Sequence, residues 1–274
     1  MQARVERDVT ASGVRLRMFE QGAGSTVILL HGLFSNSTTW HAAANLLSEH
    51  YRVVALDFPG FGSSEKPPTS RFSYRIEAFT ETIVDLYGAL ELGRAAVIGH
   101  ALGGAVGIAL SARHPELVSR LVLVDSLCYE PEGAFYHRLL ALPVLGGLAF
   151  KQLINRAAFR LLSARSLVTE GPGSVDSYYE AFNTPAGRGS ALAALRAARD
   201  TRSVVADTSR VQAPTLVVWG RNDRLYPAGM GQRLAKEIRG AGFELIDAGH
   251  APQEEQPDAF AAIALRFLRS ERTS

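Results

Sequence analysis

Two periodicities alternate along the first half of the chain. Thr26-Val27-Ile28-Leu29-Leu30 is an apolar, β-branched run that stops at His31-Gly32, the pattern of a buried strand. Trp40, Ala43, Ala44 and Leu47 then recur at helical spacing, with Asn36 or Ser37 as the expected N-cap. Arg52-Val53-Val54-Ala55-Leu56 predicts the next strand, and the Gly/Pro-rich Asp57-Phe58-Pro59-Gly60-Phe61-Gly62-Ser63-Ser64 predicts a loop. Ile76, Phe79, Ile83, Leu86 and Leu90 mark one face of a long helix. Short apolar strands follow at 95–98 and 120–124, separated by a small-residue helix from Ala101 to Arg113. Strands apolar on both faces, interleaved with helices, predict an α/β fold: a mostly parallel central sheet covered by helices on both sides.

The rhythm breaks between about Leu127 and Arg210. No strand pattern occurs there; alanine-rich and aromatic helical stretches are separated by breakers such as Gly171-Pro172-Gly173. Strands return at Thr215-Leu216-Val217-Val218-Trp219 and Phe243-Glu244-Leu245-Ile246, and a last helix starts near Pro257 with Phe260, Ile263 and Phe267 inward. The expected organisation is a core from 1–126 and 211–274, with 127–210 as a helical cap over the carboxyl ends of the strands, where open α/β sheets bind ligands.

Composition narrows the partners. The chain has 274 residues, 47% hydrophobic and 20% charged, enough for a sizeable core. Its formal charge is +2, with 29 basic and 27 acidic residues in no block, so neither nucleic acid nor an anionic membrane is indicated. One cysteine, Cys128, excludes an intrachain disulfide and fits a reducing, cytoplasmic setting. The apolar run from Leu139 to Phe150 is interrupted by Pro143, Gly146 and Gly147 and is too short for a membrane span. The charged start, Met1 to Asp8, lacks the apolar stretch of a signal peptide.

The candidate chemistry lies between the strand at 95–98 and the helix after it. Gly99-His100-Ala101-Leu102-Gly103 has the spacing of the nucleophile elbow Gly-x-Ser-x-Gly, with alanine at the centre. That turn lifts its central residue above the sheet, and glycines flank it because larger side chains would strike the neighbouring strand and helix. Four motifs occur in order, each at the end of a predicted strand: His31-Gly32-Leu33-Phe34, the loop 57–64, the elbow, and the pair Gly220-Arg221-Asn222-Asp223 with Gly249-His250-Ala251-Pro252. With them the chain resembles the α/β-hydrolase superfamily, in its esterase-like branch with a helical cap, over nearly its whole length.

The resemblance implies roles. Asp223 matches the triad acid and His250 the general base, in the chain order of that fold. The N–H groups of Leu33 and Leu102 match the oxyanion donors. Ala101 departs from the pattern, because a methyl group cannot attack a carbonyl. The reading taken is a Ser→Ala substitution in a serine hydrolase that cleaves a carboxylic ester or related acyl bond, leaving this chain inactive or nearly so. Two others stay open: a natural alanine with base chemistry by the His250–Asp223 dyad, and a non-catalytic ligand-binding homologue. An aspartate nucleophile replaced by alanine, as in haloalkane dehalogenases and epoxide hydrolases, fits less well, since those relatives carry tryptophan where Leu102 stands. Tyr178 and Tyr179 are like the paired cap tyrosines of epoxide hydrolases, but adjacent helical residues do not face one way.

Other residues have plainer expectations. Asp125, at the end of the strand 121–124, is the rival acid and is read as a strand-end cap. Asp57 orders its loop, His31 orients the oxyanion loop, and His100 is structural. His41, His50, His114 and His137 are expected at the surface, and Cys128 as a small apolar residue. Phe135, Tyr136, Phe150, Phe159, Tyr178, Tyr179 and Phe182 are expected to pack the cap, some lining a pocket for a small apolar or aromatic ester. The mechanism implied requires no metal or organic cofactor, and the chain is expected as a monomer or homodimer.

Overall fold

The computed structural model describes residues 3–129, 154–166 and 174–270. Eight strands form one sheet: β1 Val5–Ala11, β2 Val14–Gln21, β3 Thr26–Leu30, β4 Arg52–Leu56, β5 Ala95–His100, β6 Val118–Val124, β7 Thr215–Gly220 and β8 Gly242–Ile246. Their order is β1-β2-β4-β3-β5-β6-β7-β8. β1 and β2 pair antiparallel, β2 joins β4 antiparallel, and every other pairing is parallel.

The helices among the described residues are α1 His41–Leu47, α2 Ile76–Ala89, α3 Leu102–Arg113, α4 Arg156–Ser166, α5 Ser174–Phe182, α6 Pro185–Ala197, α7 Arg202–Thr208, α8 Ala228–Glu237, α9 Pro252–Glu255 and α10 Pro257–Arg269. A single 3-10 turn, Ser37–Trp40, precedes α1, and the Asn36 side chain caps it by accepting from the Thr38 amide.

Strand residues alternate between two cores. Ile28, Leu30, Val54 and Leu56 pack with Phe79, Ile83 and Leu86 of α2 and with Val106, Ile108 and Leu110 of α3. Val27, Leu29, Val53 and Ala55 pack on the other face with Trp40, Ala43 and Leu47, and with Phe260, Ala264 and Leu268 of α10. A period-two strand with apolar residues at both parities can only be satisfied by helices on both sides.

The sequence pattern located six of the strands. The β1–β2 hairpin escaped it, because β1 is nearly all exposed while β2 alone buries Val14, Leu16 and Met18. Ser12-Gly13 makes the turn, both with φ in the left-handed region. The expected helix start near Trp40 divides into the 3-10 turn and α1.

β4 lies on one side of β3 and β5 on the other, so chain direction switches between β3 and β5. In open α/β sheets, segments leaving two such strands diverge at their carboxyl ends, where ligands bind. His31-Gly32, Asp57, Ala101, Asp125, Asp223 and His250 all lie just beyond the carboxyl ends of strands.

Candidate active site

The elbow forms as its glycines require. Ala101 has φ 47, a conformation that L residues rarely adopt, and it joins β5 to α3. A Cβ on Gly103 would lie 2.2 Å from the Leu30 carbonyl oxygen, and one on Gly99 would lie 2.3 Å from that of Gly103. Strand β3, strand β5 and helix α3 therefore approach closely enough that only hydrogen fits. The Gly103 amide donates to the His31 carbonyl, 3.1 Å, which ties the β3 end to the elbow. A Cβ on Gly32 would lie 3.1 Å from the Ala101 methyl carbon, so the backbone leading to Leu33 runs beside the elbow. Leu102 is the first residue of α3, where N–H groups have no helical acceptor and the helix dipole is positive.

His250 follows β8 and meets Asp223, which follows β7. Its Nδ1 donates to Asp223 Oδ2 at 2.8 Å, and both residues are buried. Asp223 Oδ1 accepts from the amides of Leu225 and Tyr226, at 2.7 and 2.9 Å. Burial pulls the Asp223 carboxyl upward, but the charge and hydrogen bond of His250, together with the Tyr226 amide, outweigh it and hold the group below the usual carboxylate value. With Nδ1 engaged, the imidazole can offer only Nε2 for proton transfer.

The His250 loop is pinned from three sides. Glu255 of α9 accepts from the amides of Gly249 and Ala251, at 3.0 and 3.1 Å. His100, next to the elbow, donates from Nε2 to the His250 carbonyl at 2.7 Å. The Tyr226 ring stands edge-on to the imidazole, centroids 5.2 Å apart. Burial and the neighbouring His250 push the His100 imidazole down to about 3, so it stays neutral. Glu255 was absent from the sequence reading; a glutamate five residues after His250 is a signal only once α9 is seen to turn back on that loop.

His31 orders the opposite wall. Its Nδ1 donates to the Gly32 carbonyl, 2.7 Å, and its Nε2 accepts from the Phe58 amide, 2.9 Å. Burial lowers its affinity for a proton, against the pull of Asp57. Asp57 accepts from the amides of Ser37 and Ser63, each at 2.7 Å, and so fixes the loop after β4.

Helices α4 to α7 all lie between β6 and β7 in sequence. Phe159, Val175, Tyr179, Phe182 and Leu192 form an apolar cluster with Phe34 packed against it, beside Leu33. Tyr178 belongs to the same cluster, and its hydroxyl donates to Glu254 Oε1 at 2.6 Å; Thr39 bonds the same oxygen. Phe135, Tyr136, Phe150, His137 and the run Leu139–Phe150 lie outside the described residues. Cys128 is buried, and burial pushes its thiol up. His50 is exposed as expected, whereas His41 and His114 are half-buried: the His41 ring packs edge-on against Phe19 and His114 closes the end of α3.

Asp125, Asp223 and His250 place ligand-type atoms within 4.8 Å of one another. The His250 nitrogen in this cluster, Nδ1, is the one already engaged with Asp223 at 2.8 Å. No helix among the described residues is long and apolar enough to cross a membrane.

Comparison with known proteins agrees with this architecture. The family described as the alpha/beta hydrolase fold matches residues 25–257. The 2-hydroxymuconate semialdehyde hydrolase of Pseudomonas sp. (strain CF600) is 30% identical, over 96% of this chain and 94% of its own. The 2-hydroxy-6-oxo-6-(2'-aminophenyl)hexa-2,4-dienoic acid hydrolase of Metapseudomonas resinovorans is 29% identical, over 97% and 91%. Among solved structures, a putative acyltransferase from Salmonella enterica superposes with a TM-score of 0.86 at 27% identity, covering 97% of this chain and 95% of that one.

Proposed function

Because the chain belongs to the α/β-hydrolase family, we propose that its site is that of a serine hydrolase cleaving an ester or related acyl bond, with Ala101 standing in the nucleophile's place. The observation that carries this reading is the His250–Asp223 hydrogen bond at 2.8 Å, buried and braced, beside an elbow whose only missing part is one oxygen atom. A site without use for a general base has no need to align Nδ1 on a buried carboxylate.

With serine at 101, His250 Nε2 takes the hydroxyl proton as the oxygen attacks the acyl carbon. Asp223 holds the tautomer and stabilises the imidazolium. The N–H groups of Leu33 and Leu102 receive the oxyanion. His250 then protonates the leaving group, and water activated by the same nitrogen releases the acid. With alanine the first step has no nucleophile, and the chain is inactive or nearly so. Residues 127–210 act as a cap over 1–126 and 211–274. The apolar cluster around Phe182 and Phe34 favours an apolar or aromatic acyl group. The oxo-dienoic acid in the name of the Metapseudomonas resinovorans relative extends the candidate substrates to unsaturated oxo-acids.

The test is Ala101→Ser, assayed on short and medium p-nitrophenyl esters and on an unsaturated oxo-acid. Turnover in the serine variant, abolished again by adding His250→Ala, is expected. Turnover in the alanine chain that needs His250 would instead assign non-covalent base chemistry to the dyad.

A further inference from the structure

A second carboxyl group, Asp125, is buried beside the acid–base pair, and that pair does not use it. It ends β6 with φ 41 and is fully buried. Its Oδ1 accepts from the Gly220 amide at 2.9 Å. Its Oδ2 is buried with no N–H or hydroxyl partner among the described residues. The group it faces is the Asp223 carboxyl: one oxygen of each lies within 4.8 Å of the other.

Two buried carboxyl groups this close share a proton rather than both ionise. The donors decide which one carries it. Asp223 has two backbone amides on Oδ1 and the imidazole on Oδ2, all of which favour its anion. Asp125 has one amide for two oxygens, and an ionised carboxylate so placed would be buried with half of its acceptors unmet. The titratable groups facing it are Asp223 beyond β7, His250 beyond β8 and Glu255 of α9; the two further carboxyls both disfavour a charge on Asp125.

Taking Asp223 and His250 as the acid–base pair of the proposed function, we propose that Asp125 is a positioning residue. It is the proton-bearing member of a carboxyl pair, and it donates that proton to Asp223, locking the Asp223 carboxylate against the His250 imidazole. Burial and the neighbouring Asp223 push the Asp125 carboxyl well above the usual range, consistent with this assignment. The Asp223 anion is then held by backbone, imidazole and carboxyl, so it cannot swing when the imidazole gains and loses a proton.

Carboxyl-carbon NMR on aspartate-labelled protein with alanine at 101 tests the assignment without turnover. One aspartate carbon is expected to remain in the protonated position at neutral pH and to vanish in Asp125→Asn. The His250 Nδ1 proton is expected as a downfield resonance that survives in Asp125→Asn, whose amide still donates, and broadens away in Asp125→Gly, which tolerates the positive φ but donates nothing. In the Ala101→Ser background, Asp125→Gly should lower kcat with little change in KM, and Asp125→Asn should restore about tenfold of that loss, the scale of a hydrogen bond to a charged group. An ionised carbon for every aspartate at neutral pH would overturn the proposal, as would an imidazole resonance lost equally in both variants. The NMR arms hold whether or not Ala101→Ser turns over, so failure of the hydrolase reading is seen separately.

Discussion

His100 Nε2 donates to the carbonyl oxygen of His250 across 2.7 Å. Residues 150 positions apart are thereby joined, and the neighbour of the elbow residue sets the position of the His250 backbone. Because the carbonyl only accepts, His100 must keep its Nε2 proton and leave Nδ1 unprotonated. A second proton would be buried without an acceptor, since Nδ1 has no partner among the described residues.

The titration of His100 therefore predicts acid sensitivity. Its folded-state value is near 3, against 6.5 when exposed. A depressed histidine contributes stability that is full above about pH 6.5 and is lost as pH falls towards 3, by at most ~1.4 kcal/mol per pH unit. His31, also lowered by burial, adds in the same direction. Denaturant titrations at several pH values should show stability falling below neutrality, and His100→Gln, which keeps a donor for the His250 carbonyl, should flatten that fall.

Asp125 predicts the opposite slope. Its raised value means that the folded chain holds a proton which the unfolded chain gives up, so this contribution is present below the ordinary carboxylate range and is lost as pH rises. Asp125→Asn should raise the melting temperature at neutral pH, with the gain disappearing below about pH 4. Calorimetry across that range reads both the sign and the window.

The elbow glycines make a steric prediction. Gly103→Ala puts a methyl carbon 2.2 Å from the Leu30 carbonyl and should destabilise by roughly 2–4 kcal/mol. Gly88→Ala, inside α2 with nothing within 4 Å, should stabilise by about 0.5–1 kcal/mol. A similar effect at both positions, read by urea denaturation, would contradict the close packing of β3 on α3.

Much of this was legible in the sequence. The strands β3 to β8 announce themselves because runs such as Val27–Leu30 and Val53–Leu56 are apolar at both parities. The elbow is legible because its glycines answer a steric demand within five residues. Glu255, Glu254 and the partnership of His100 with the His250 carbonyl were not legible. Those contacts depend on where α9 and the β8 loop land after folding, and no local period encodes that. β1 escaped because an edge strand that faces water has no apolar face to read, and β2 alternates Val14, Leu16 and Met18 with other residues, a weaker signal than a continuous apolar run.

Tyr178 predicts a contribution from the inserted helices. Its hydroxyl donates to Glu254, which lies four residues beyond His250. Tyr178→Phe leaves that carboxylate short of a donor and should cost about 1–2 kcal/mol. Faster hydrogen exchange in α5 and around 249–255, with the sheet unchanged, is the expected pattern.

The account stands most directly on Ala101→Ser treated with a fluorophosphonate and read by intact-protein mass spectrometry. One adduct per chain, mapped to position 101 and lost when His250→Ala is added, is the predicted result. A serine variant that stays unlabelled while its melting temperature matches that of the parent chain would contradict it.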